Sequence, residues 1–180
     1  PGHDRRRGER MIADIETVAP DVVVAKGDLT THGIQKEYDA FLAHYGSAFG
    51  DRLLHVRGNH DAYAGETFAA DAPVAHVLPG AVLAVLDTVI PTDTPGRVTA
   101  DQLEWLDDLA ATADRPVLVF GHHHVWSPDS KHRPESYFGI NPDDSERLVE
   151  VVARRPAIGG YFAGHTHRNR VRHLTATGVV

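Results

Sequence analysis

Apolar residues follow two rhythms along this chain. The first is helical: Met11, Ile12, Ile15 and Val18 recur every three or four residues across 5–19, as do Tyr38, Phe41, Leu42 and Tyr45 across 35–49. Leu103, Leu106 and Leu109, behind Thr99 as an N-cap, predict a helix through about residue 113. Leu148, Val149 and Val152 predict another over Pro142–Arg154, with proline suited to its first turn. The second rhythm is the short unbroken apolar run. Residues 22–24, Leu53–Val56, Val74–Val77, 81–86, Val117–Phe120 and 158–163 are of strand length and bounded by Gly, Pro or polar text, which predicts buried strands. Pro79-Gly80 closes a hairpin between two of them, and residues 171–174 open a return strand. Residues 1–4 read as loop, 62–73 as short helix and loop, and 91–96 as turn. The long polar stretch 127–141 has the length of a functional lid. Strands alternating with helices predict one α/β domain over residues 1–180.

Composition narrows the class of function. Hydrophobic residues at 42% and charged residues at 24% suit an ordinary globular core. A formal charge of −7 argues against a nucleic-acid polymer as partner, because a polyphosphate backbone selects a basic surface. Arg5-Arg6-Arg7, followed by Glu9, reads as a solvated helix start for the same reason. Arg97, Lys131 and Arg133 likewise read as solvated surface charge. No apolar run approaches the roughly 18 residues that span a bilayer. With no cysteine there is neither a disulfide framework nor a thiolate ligand. The redox compartment stays open on that ground, with the cytoplasm as the default expectation. The oligomeric state is open.

Histidine departs from the ordinary, with 13 residues in all. Its placement is patterned. Four apolar runs end in a glycine followed by a metal-competent side chain: Gly27-Asp28, Gly58-Asn59-His60-Asp61, Gly121-His122-His123-His124 and Gly164-His165-Thr166-His167. Open α/β sheets bind ligands beyond the carboxyl ends of their strands, so these four ends point to one crevice. Asp28 has two carboxylate oxygens able to bridge two cations, and the Asn59 carbonyl is a hard neutral ligand. Imidazoles from His122, His165 and His167 suit zinc, iron or manganese better than magnesium or calcium. In an extended segment His165 and His167, two apart, would face the same side.

This ordered series resembles the motifs of the calcineurin-like metallophosphoesterases, and most of all the bacterial branch that includes cyclic-nucleotide phosphodiesterases. Leu86-Asp87-Thr88 and Gln102-Leu103-Glu104-Trp105-Leu106 add to the resemblance, which runs from Met11 to Leu174. It implies a sandwich of two mixed β-sheets flanked by helices. It also implies two divalent or trivalent transition-metal ions (Mn, Fe or Zn) and a small phosphoester substrate. Asp28 would bridge the ions, with Asn59, His122 and His165 completing one and His167 serving the other. A metal-bridging hydroxide would attack phosphorus, and His60, oriented by Asp61, would protonate the leaving oxygen. Phosphodiesters of the cyclic-nucleotide or glycerophosphodiester type are the expected substrates. A phosphomonoesterase or protein phosphatase, and a non-catalytic scaffold on the same fold, are the alternatives.

The chain departs from the family pattern in two places. Relatives carry a strand before the first helix, ending in an Asp-x-His motif that supplies two ligands of one metal. No such motif precedes Asp28, and the chain ends on Val179-Val180 as if mid-strand. It therefore reads as a fragment lacking its first strand and its C-terminal strands, with poor activity expected of it alone. Secondly, His122-His123-His124 stands where relatives read His-His-Pro. His122 is assigned as the ligand because it directly follows the strand-end glycine, His123 as a possible substrate contact and His124 as a loop residue.

Overall fold

A computed structural model describes residues 2–126, 138–175 and 178–179. Helix α1 (Gly2–Glu16) leads into β1 (Val23–Lys26), and α2 (Gln35–Phe41) into β2 (Leu53–Val56). The hairpin of β3 (Val74–Val77) and β4 (Val82–Val85) follows, then α4 (Ala100–Thr112), β5 (Val117–Phe120), α5 (Pro142–Arg154) and β6 (Ile158–Phe162). A short hairpin of β7 (Leu174–Thr175) and β8 (Gly178–Val179) ends the described chain. Between α2 and β2 the helix widens into a π-turn over Leu42–Gly46 and continues through α3 (Ser47–Phe49).

These strands form a parallel pair β1-β2, a mixed four-stranded sheet β3-β4-β5-β6 and the terminal hairpin. β3 runs antiparallel to β4, while β4, β5 and β6 are parallel. The expected α/β architecture of sheets flanked by helices is what forms. All four residues of β4 are buried, which places that strand in the middle of the molecule and accounts for its unbroken apolar text. Val82, Ala84, Val117 and Val119 line one face of the sheet, packed with Leu103 and Leu106 of α4 and Leu148 and Val151 of α5. Both helices begin as predicted. The Thr99 hydroxyl accepts from Gln102 N, the Asn141 side chain accepts from Asp144 N, and Pro142 opens α5. Trp105 packs at the edge of this core.

Several local expectations are corrected. The first helix covers His3 and Asp4, read above as loop, and stops at Glu16 instead of reaching residue 19. The Thr17 hydroxyl donates to Asp14 O there, and Ala19 takes a left-handed φ of 48°. The aromatic stripe on the second helix is only half-buried: Tyr38 stacks on Phe68 at 4.5 Å and bonds His55 Nε2 at 2.9 Å. The return strand is shorter than expected, since 171–173 form none and pairing starts at Leu174. Most of the lid expected at 127–141, with Lys131 and Arg133, lies outside the described residues.

Candidate metal centre

β1 and β2 run in register from Val23↔Leu53 to Lys26↔Val56, so Gly27-Asp28 and Gly58-Asn59 leave the small sheet side by side. In the large sheet Val85 pairs with Phe120 and Phe120 with Phe162. Two further bonds carry that ladder past the strand ends: Gly121 N donates to Phe162 O at 3.1 Å and Gly164 N to His122 O at 2.9 Å. Lys26 ties the two sheets together by donating its ammonium to Ala163 O at 2.7 Å. Glycine is required where these loops touch. Gly27 has φ +86°, and a Cβ there would fall 2.8 Å from Gly58 N. A Cβ on Gly58 would fall 2.8 Å from His122 Cε1 and would collide with Asp28.

The four strand ends bring their donors onto one point. His122 Nδ1 lies 2.7 Å from Lys26 O, which can only accept, so Nδ1 carries the hydrogen and Nε2 presents a lone pair. Burial holds this imidazole below the ordinary histidine pKa, outweighing Asp28, and keeps it neutral. Around Nε2 stand Asn59 Oδ1 at 3.1 Å, His165 Nδ1 at 3.1 Å and Asp28 Oδ1 at 3.3 Å. Oxygen acceptors facing a nitrogen lone pair repel one another unless a cation lies among them. Donors about 2.1 Å from one ion stand roughly 3.0–3.4 Å apart, which is the spacing found. The donor set therefore fits a transition metal. Burial also holds His165 down, to about 4, with the neighbouring His122 adding to the effect.

Of the residues singled out in the sequence, Asp28, Asn59, His122 and His165 meet directly. His167 lines the same cavity of about 230 Å³ as Asp28, His122 and His165. The reasoning that linked the last two histidines is corrected, however. Residues 164–167 are not extended, and His165 and His167 both take left-handed φ values, 62° and 50°. A larger cavity of about 330 Å³, beside Arg57, Asp87 and Arg97, contains none of these donors in its lining.

His60 is oriented by a group other than the expected Asp61. His60 Nδ1 lies 2.9 Å from the Thr31 carbonyl, which sets the ring and leaves Nε2 for a ligand. Its backbone N donates to Asp28 Oδ1 at 3.2 Å. Asp61 does not orient His60. Its fully buried carboxylate accepts from Leu29 N, Thr30 N, the Thr30 hydroxyl and Gly58 N at 2.7–3.1 Å, pinning the Asp28 loop to the Asn59 loop.

His123 is likewise no substrate contact, being wholly buried. Ring nitrogens of His122, His123 and His165 lie within 4.8 Å of one another, as in a metal site. Yet His123 Nδ1 is bonded to the Thr88 hydroxyl at 2.8 Å and Nε2 to Thr94 O at 3.0 Å, so it is a buried strut. Burial pushes it down to about 2. Sequence reasoning missed Lys26, Thr31, Thr88 and Thr94. Lys26, Thr31 and Thr94 act through backbone carbonyls alone or in part, for which a side-chain pattern gives no sign. The amide nitrogen of Asn59 donates to Tyr63, another contact that was missed.

Comparisons with known proteins bear on this geometry. A probable cyclic nucleotide phosphodiesterase of Synechococcus is 25% identical over 90% of this chain and 64% of its own length. A cAMP/cGMP dual specificity phosphodiesterase of Mycobacterium tuberculosis is 32% identical over 82% of this chain and 49% of its own. A glycerophosphodiester phosphodiesterase of Enterobacter lignolyticus is 28% identical over 82% and 56%. The chain thus spans about half to two thirds of the length of such relatives. A sequence profile of the calcineurin-like phosphoesterases matches residues 7–169, and with it the chain belongs to the calcineurin-like phosphoesterase family.

Proposed function

We propose that this chain carries the metal centre of a phosphodiesterase acting on small phosphodiesters of the cyclic-nucleotide or glycerophosphodiester kind. The observation that carries the reading is the convergence of Asp28, Asn59 and His165 on the lone pair of a neutral His122. Asn59, His122 and His165 would hold one ion, Asp28 would be shared, and His167 would serve a second. Manganese, iron and zinc suit three imidazoles with two hard oxygens. Such cations lower the pKa of water towards neutrality and offset charge on a phosphoryl group.

The chain's own residues do the rest. The Lys26 carbonyl keeps the proton of His122 away from the ion. His60, held by Thr31, presents Nε2 to protonate a leaving oxygen or to stabilise charge on it. Asp61 keeps the loops of Asp28 and Asn59 at one separation. Among the described residues no helix is long and apolar enough to cross a membrane.

The test uses the protein at the length of its relatives, with its bound metal measured by mass spectrometry. About two transition-metal ions per chain are expected, with bis-p-nitrophenyl phosphate cleaved faster than p-nitrophenyl phosphate. His60→Ala should keep its metal and lose about 10²–10⁴-fold in rate. Metal-free protein, or full activity in His60→Ala, would overturn the reading.

A further inference from the structure

We propose that Tyr63 is a positioning residue of this centre, holding the Asn59 amide and the His60 ring in one arrangement. The proposal rests on the metal reading above and extends it to a residue that touches neither ion nor donor nitrogen. Asn59 and Tyr63 bracket the single 3₁₀ turn His60–Ala62, both with right-handed helical backbone, φ −62° and −64°. Across that turn the two side chains meet. Asn59 Nδ2 donates to the Tyr63 hydroxyl at 2.5 Å, while Asn59 Oδ1 faces His122 Nε2 at 3.1 Å. The tyrosine ring lies against the His60 imidazole, centroids 4.7 Å apart and tilted by 50°. Its hydroxyl also stands 3.5 Å from Thr94 Oγ1, on the loop that bonds His123.

A neutral amide is a weak ligand whose contribution depends on where its plane points. Tying Nδ2 to an acceptor fixes that plane and draws electron density onto Oδ1, the atom turned toward the donor cluster. Asn59 is 2% exposed and Tyr63 is 37% exposed, so the tyrosine is the outward end of the contact and is reachable by substitution without opening the core. Loss of an outer partner of a metal ligand typically costs 10–100-fold in metal affinity or activity.

Binding of Mn²⁺ to the metal-stripped intact protein, followed by titration calorimetry with no substrate present, tests this. Tyr63→Phe keeps the ring against His60 and removes only the hydroxyl; it should weaken Mn²⁺ binding about tenfold. Asn59→Ala should weaken binding too, and adding Tyr63→Phe to it should change affinity less than twofold, because the hydroxyl acts through the amide. Tyr63→Leu, which also removes the ring, should further lower kcat at saturating Mn²⁺. If the wild-type protein binds no Mn²⁺, the metal reading fails first. If wild type binds and Tyr63→Phe binds equally, or if Tyr63→Phe costs as much in the Asn59→Ala background, Tyr63 merely packs and the proposal is overturned.

Discussion

At Asp61 one carboxylate fastens two loops that would otherwise be free to drift apart. Leu29, Thr30 and Gly58 all donate to it, and its two oxygens are fully buried. Asp61→Asn keeps the shape but replaces an acceptor by an NH₂ group facing donors. Leaving one buried donor unmet costs about 1–3 kcal/mol. Metal-free Asp61→Asn should therefore melt roughly 2–12 °C below wild type, from about 2–4 °C per kcal/mol in a chain of this length. Equal melting temperatures would show that the pin is idle. The same residue marks the limit of reading single positions. Asp28, Asn59, His122 and His165 were legible because each directly follows the glycine that closes an apolar run. Asp61 was assigned to its neighbour His60, since adjacency is visible in a sequence, whereas partners some thirty residues upstream are not.

Elements were legible where one periodicity governed them. α4 appears with its Thr99 cap and α5 with Pro142 in its first turn, as expected, because a helix start followed by an apolar stripe is encoded locally. The π-turn at Leu42–Gly46, the early stop of α1 and the left-handed backbone at His165 and His167 were not, because a hydrophobic pattern does not register a local change of backbone dihedral. What fastens α4 to α5 was also hidden: Arg154 and Arg155 both bond Asp107, at 2.7–2.9 Å. Hydrogen bonds from Arg155 and then Arg154 hold the Asp107 carboxyl far below the usual carboxylate range. A carboxyl depressed in the folded state stabilises above its unfolded pKa of about 3.8 and loses that contribution as pH falls further. Asp107→Asn should accordingly lower the melting temperature at pH 7 and leave it closer to wild type at pH 2–3. A difference that is the same at both pH values would remove the ion pairs from the account.

Across the whole molecule, alternating strands and helices pointed to α/β and Pro79-Gly80 to the β3-β4 hairpin, but the placing of β5 and β6 beside β4 came only with the structure, since a short apolar run does not name its neighbour. The molecule's response to acid follows from its buried imidazoles. Burial sets His123 at about 2, so the unfolded chain takes up a proton near pH 6.5 that the folded chain refuses. Stability is then complete above about 6.5 and falls as pH drops below it, by about 1.4 kcal/mol per unit for each such histidine. His123→Gln should flatten the fall in melting temperature between pH 6 and 4. An unchanged slope would place the acid sensitivity elsewhere.

The same neutrality prepares the centre for a cation at physiological pH, because an imidazole need not shed a proton before it can ligate. A chain of formal charge −7, with Asp28 and Asn59 oxygens turned on a lone pair, holds these donors together against their mutual repulsion. A cation bound only by the folded state removes that repulsion and stabilises by about 2.7 kcal/mol at a hundred times its Kd. Mn²⁺ in that excess should raise the melting temperature by about 5–11 °C, and a chelator should return it to the starting value. His122→Ala removes the nitrogen on which the other donors converge, so whatever its own melting point, its shift with Mn²⁺ should vanish. A variant that keeps the full shift would mean the ion is bound elsewhere, and the strand ends would converge for some purpose other than metal.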